Sequence, residues 1–92
     1  MKTKTKRRIP VKIELVVRRA CHICDLVQKE IESITKVQSN IDLLIINADS
    51  ARTFPGNSQP YVTPAVWVND KLWYLGGFDS STFVKKLEHI TN

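Results

Sequence analysis

Between Val17 and Ile23 the apolar residues of this chain stop recurring at every second position and begin recurring at every third or fourth. That change limits the available folds more than any other feature. Before it, Val11, Ile13, Leu15 and Val17 alternate with Lys12, Glu14 and Val16, the pattern of a strand. Arg18, Arg19 and Ala20 form an exit loop. After it, Ile23, Leu26, Val27, Ile31, Ile34 and Val37 are assigned to one helical face, with Asp25, Gln28, Lys29, Glu30 and Glu32 elsewhere. A helix over about residues 22 to 37 follows. Ser39 and Asn40 break it, and the Leu- and Ile-rich run Ile41 to Ile46 predicts a strand buried on both faces, as in a parallel pair. Strand, crossover helix and parallel strand make one right-handed unit.

The segment Asn47 to Pro60 carries two prolines, a glycine and small polar residues, so it reads mainly as loop, with room for at most one or two helical turns near Ser50 to Phe54. Ala65 to Val68 and Leu72 to Leu75 are β-rich runs separated by Asn69, Asp70 and Lys71, which predicts a hairpin. Gly76 and Gly77 end the second run. Asp79 or Ser80 caps a last helix on which Phe83, Leu87 and Ile90 recur, with Lys85, Lys86 and His89 near its negative end. The expected class is α/β, a four-stranded mixed sheet in the order strand, helix, strand, loop, strand, strand, helix.

A chain of 92 residues with 42% hydrophobic content supplies one core, not two. The formal charge of +5 is concentrated in Lys2, Lys4, Lys6, Arg7 and Arg8; from Ile9 onward nine basic residues face nine acidic ones. Residues 1–8 therefore read as a basic disordered tail and residues 9–92 as the folded domain, with no basic face for nucleic acid on that domain. Apolar runs reach only four residues, as in Leu43 to Ile46, too short for a membrane span or a signal-peptide core. A soluble, cytoplasmic, monomeric protein without membrane association is expected. In that reducing compartment a close cysteine pair is more often catalytic or metal-binding than structural.

The pair is Cys21-His22-Ile23-Cys24, and it sits where a strand hands over to a helix. A bridge across so small a loop removes little unfolded-chain entropy, so a structural staple explains it poorly. Unpaired amides and the positive end of the helix dipole stabilise a thiolate there. Arg18, Arg19 and a protonated His22 are candidates to strengthen that field or are simply solvated. Cys21, ahead of the first turn, reads as the more exposed sulfur and the nucleophile; Cys24, within the turn, reads as the resolving thiol. Other chemistries compete. A closed zinc site needs two ligands beyond the pair, and His22 and His89 are the only histidines. A Cu(I) site needs only the two thiolates, and inert packing of two small thiols needs nothing.

The cysteine pair after a first strand, Thr63-Pro64 before the hairpin, and Gly76-Gly77-Phe78-Asp79 before the last helix occur in an order that resembles the thioredoxin superfamily, most closely its small glutaredoxin-like members. The resemblance spans about residues 9 to 92. It implies a thioredoxin-like fold, with catalytic Cys21 and Cys24 reducing or exchanging the disulfides of proteins or glutathione mixed disulfides. It implies a cis proline at Pro64 lying against the nucleophile, with the backbone at Thr63 binding substrate. It implies that Gly76, Gly77 and Asp79 meet the ends of glutathione, although two glycines ending a strand and an Asp capping a helix need no ligand. His22, between the cysteines, is implied to contact substrate and to shift the pair toward a more oxidising potential. No bound cofactor or metal is expected; a reductase or glutathione supplies electrons. The alternative is a non-enzymatic module of the same fold that binds a soft metal or a protein partner. Trp67, Trp73, Tyr61 and Tyr74 read as sheet packing.

Overall fold

The alternation of Val11, Ile13, Leu15 and Val17 becomes strand β1 (Val11–Val17), with all four side chains buried on one face of the sheet. The fold, taken from a computed structural model, is described for residues 10–38, 40–57, 59–60 and 62–91. The proposed tail 1–8, Ser39 and Tyr61 lie outside the described residues. After β1 come helix α1 (His22–Lys36), strand β2 (Ile41–Asn47), a short 3-10 turn (Pro55–Asn57), strands β3 (Ala65–Val68) and β4 (Lys71–Leu75), and helix α2 (Ser80–Thr91).

The sheet order is β2-β1-β3-β4. β2 runs parallel to β1 in register from Val11↔Ile41 to Val17↔Asn47, as a strand-helix-strand crossover requires. β3 runs antiparallel to β1 and to β4. This is the mixed α/β sheet expected. The reversal between β3 and β4 takes two residues, Asn69 and Asp70, so β4 begins at Lys71. Both have positive φ, 50° and 70°, the conformation of a type I′ hairpin turn that Asn and Asp tolerate. The turn is tied to β1: Lys12 N–H donates to Asn69 Oδ1 at 2.9 Å, and Lys12 Nζ lies 2.8 Å from Asp70.

The main core lies between one sheet face and both helices. It joins Val11, Ile13, Leu15 and Val17 to Val66 and Val68, to Cys24, Val27 and Ile31 of α1, and to Phe83 and Leu87 of α2. A smaller cluster on the opposite face gathers Val16, Ala48 and Ala65 under Ile46, Phe54 and Trp67. Trp73 and Tyr74 pack edge-on or tilted against Phe83, and Tyr74 against Phe78, so the described aromatic residues serve packing as expected. No described helix is long and apolar enough to cross a membrane.

Three expectations are corrected. On α1 the buried stripe is Cys24, Val27 and Ile31, with Ile34 beside it, while Ile23, Leu26 and Val37 are 53%, 49% and 83% exposed. A helix lying on one sheet face buries a narrower stripe than its apolar residues cover. β2 is not buried on both faces: it is an edge strand, and its Asp42 and Leu44 are exposed because, among the described residues, no helix covers the second face there. The short helical turn described in the long loop falls at Pro55–Asn57 rather than near Ser50 to Phe54, and within it Gly56, at a φ of 69° that is not itself helical, lies against the Trp67 ring.

Candidate active site

The register brings three chain segments to one end of the sheet, the edge made by the strand termini and not by an outer strand. Val16 of β1 lies opposite Ala65 of β3, which lies opposite Leu75 of β4. The exit of β1 toward Cys21, the entry to β3 at Pro64 and the exit of β4 at Gly76 therefore share that edge. Cys21 is the N-cap of α1, with extended backbone at φ −114° and ψ 102°. Its carbonyl accepts from Asp25 N–H at 3.1 Å, and its sulfur accepts from Cys24 N–H at 3.1 Å. One of the first helical amides, a group that lacks a partner within a helix, is thus aimed at that sulfur. Cys21 and Cys24 form a disulfide, with Sγ–Sγ 2.28 Å and Cα–Cα 5.1 Å. Cys24 is 1% exposed within the main core, whereas Cys21 is only partly buried at its margin, the asymmetry expected of the pair.

Facing this edge, the Thr63-Pro64 peptide is cis and Pro64 is buried. Pro64 cannot donate to the sheet, and its carbonyl instead accepts from Gly76 N–H at 2.7 Å. Gly76 has φ 84°, and a Cβ there would come within 2.8 Å of Val62 Cγ1, so both the backbone conformation and the close side chain favour glycine where β4 ends. Thr63, Pro64 and Gly76 are thereby assembled. Gly77 lies beyond them in open space, and His22 is exposed beside the disulfide.

Asp79 is engaged at the start of α2. Its carbonyl accepts from Phe83 N–H at 2.9 Å, and its carboxylate accepts from the Thr82 hydroxyl and from Ser81 Oγ at 3.5 Å. The Thr82 hydroxyl is the chief cause holding this carboxyl below its ordinary value, with the Thr82 and Ser81 amides and the Ser81 hydroxyl adding. Nearby, Tyr74 donates to the Asp79 carbonyl at 3.4 Å; burial first, and the Asp79 charge second, push its phenol up.

Sequence reasoning missed Asp49. Its carboxylate accepts from Arg19 N–H at 3.1 Å and lies 3.9 Å from the Arg18 guanidinium, which also donates to the Pro60 carbonyl at 3.3 Å. Arg18 is therefore not simply solvated; with Asp49 it straps the loop before Thr63-Pro64 to the strand-helix junction. No local signal marks this, because the partners are 30 to 42 residues apart in sequence. Among the described residues no group of three or more His, Cys, Asp and Glu is placed to hold a metal ion.

A family model described as a thioredoxin domain matches residues 11–89. No curated protein matches the chain.

Proposed function

Because the chain belongs to the thioredoxin-domain family, its bonded Cys21–Cys24 pair has a thiol–disulfide redox role in general terms, and on that premise we propose that it is a glutaredoxin- or thioredoxin-like oxidoreductase acting on disulfides of proteins or on glutathione mixed disulfides. The observation that carries this reading is the hydrogen bond from Cys24 N–H to Cys21 Sγ, with Cys21 accessible and Cys24 buried behind it. A donor aimed at the outer sulfur favours its thiolate, and a buried second sulfur at bonding distance can displace it.

In the reduced protein the Cys21 thiolate attacks one sulfur of the substrate disulfide. A Cys21–substrate bond forms, the substrate S–S bond breaks, and the other substrate sulfur leaves as a thiolate. Cys24 then loses its proton and attacks Cys21 Sγ; the Cys21–Cys24 bond forms and the second substrate thiolate leaves. The substrate gains two electrons, the protein loses two, and a reductase or glutathione restores them. His22, Thr63, Pro64, Gly76, Gly77 and Asp79 are proposed to contact substrate. Action in the cytoplasm as a monomer, with residues 1–8 as a tail beside a domain spanning 9–92, completes the proposal.

The test is turnover of a glutathionylated peptide and of a disulfide-linked peptide by single-cysteine variants. Cys21→Ser abolishes both activities, and Cys24→Ser accumulates a mixed disulfide on Cys21 that mass spectrometry detects. Full turnover by Cys21→Ser would refute the assignment. Stoichiometric Cu(I) bound by purified protein that shows no turnover would favour a metal-binding module.

A further inference from the structure

A groove of about 340 Å³ opens between β4 and α2, lined by Trp73, Thr82, Lys85, Lys86, His89 and Ile90. Its helical residues form one stripe, adjacent to the Phe83 and Leu87 stripe that enters the core. The groove is apolar in its floor, where Trp73 and Ile90 lie, and cationic at its rim. None of the lining residues is acidic. Lys86 Nζ sits 5.0 Å from the Trp73 ring centroid and 5.4 Å from that of Tyr74, so one cation is held over the aromatic wall. The nearest acids in sequence, Asp79 and Glu88, do not line it, and the Asp79 carboxylate is already engaged by Ser81 and Thr82.

The groove runs beside β4, which is an edge strand. Among the described residues, one row of its backbone N–H and C=O groups therefore has no neighbouring strand. The other edge, β2, exposes Asp42, an acid, and Leu44. We propose that the β4 edge and this groove form a docking site for an extended, acidic peptide segment of a partner protein. The segment adds as a strand to Lys71–Leu75. Side chains two positions apart share a face, so an apolar one settles on Trp73 and Ile90 while the next on that face places a carboxylate among Lys85, Lys86 and His89. The cysteine pair lines no part of the groove, so this site stands or falls independently of the redox reading.

The test uses the full chain with its disulfide closed, isotopically labelled and titrated with a short blocked peptide that alternates threonine with one phenylalanine followed by glutamates. A peptide with lysine in place of glutamate and an oligothymidylate serve as competing probes. The expected result is amide shift changes confined to β4 and the outer stripe of α2, saturating with the acidic peptide and weakening as salt rises. Lys85→Glu combined with His89→Glu, both at exposed positions, should weaken binding by about tenfold or more. Lys85→Arg should retain it. Lys85→Arg should also keep the thermal midpoint of the parent protein, and the charge-reversed variant, which places two acids at the negative end of α2, should keep the parent's amide shifts in β1 and α1. Equal binding of the lysine peptide, shifts centred on Cys21 and Pro64, tighter binding of the oligothymidylate, indifference to the charge reversal, or no binding at millimolar peptide would each overturn the proposal.

Discussion

At the start of α2 the Asp79 carboxylate is held below its ordinary value of 3.8, chiefly by the Thr82 hydroxyl. A carboxyl whose folded value is depressed contributes stability that is fully present above its unfolded value and is lost as pH falls through the folded one. Asp79→Ala should therefore lower the thermal midpoint at neutral pH, and the deficit should shrink steadily on acidification below 3.8. Thr82→Val should move the Asp79 titration, followed by carbon-detected NMR, back up toward 3.8. A deficit of equal size in strong acid would show that the cap acts through something other than its charge. A helix cap at Asp79 or Ser80 was legible in the sequence, because a cap depends on neighbours within one turn, and the structure puts it on Asp79. Asp49 was not legible: it acts on Arg18 and Arg19 only after β2 has been laid parallel to β1 and the loop has returned over the strand end.

Helix α1 shows where periodicity stops being informative. Its apolar residues cover more than one stripe, and the sequence alone assigned Ile23, Leu26 and Val37 to the same face as Val27 and Ile31. The packed helix buries Cys24, Val27 and Ile31 and leaves the first three in solvent. Which stripe faces inward is decided by the sheet beneath, whose Ile13, Leu15, Val66 and Val68 occupy one side only. Ile31 is 0% exposed, so Ile31→Ala should cost about 2 to 5 kcal/mol in chemical denaturation. Ile23→Ala and Leu26→Ala should each change stability by no more than about 0.5 kcal/mol. Comparable losses at all three positions would mean that the helix is rotated from the orientation described. The same reasoning explains β2. A Leu- and Ile-rich run identifies a strand paired in parallel, and it was; whether that strand ends central or at an edge depends on what covers it. By contrast β1, the hairpin and α2 were legible because alternation, an Asn-Asp-Lys reversal and the spacing of Phe83 and Leu87 are local facts.

At the scale of the molecule the layers are unequal: both helices lie on one face of the sheet, and the other face is covered at one end by the loop between β2 and β3. That loop also carries Asp49 and Pro60, the two anchors of the Arg18 strap, so the cover of the second face and the flank of the cysteine edge are one piece of chain. Its hold on the sheet is slight. Ala48 is buried, Pro55 is buried, Phe54 packs beside Trp67, and Gly56 lies directly over the Trp67 ring. A Cβ at Gly56 would come within 2.6 Å of the indole, and its φ of 69° is itself unfavourable for any side chain. An aromatic ring fixed in a strand cannot give way as a flexible side chain would, so the loop must lift. Few buried apolar contacts mark a segment that opens separately from the core. Gly56→Ala should therefore shift the Trp67 indole N–H resonance and raise protease cleavage between Ala48 and Pro60, while the amides of β1 and of both helices keep their hydrogen-exchange protection. Protection falling together across β1 and α2 would show instead that the loop and the core form a single cooperative unit.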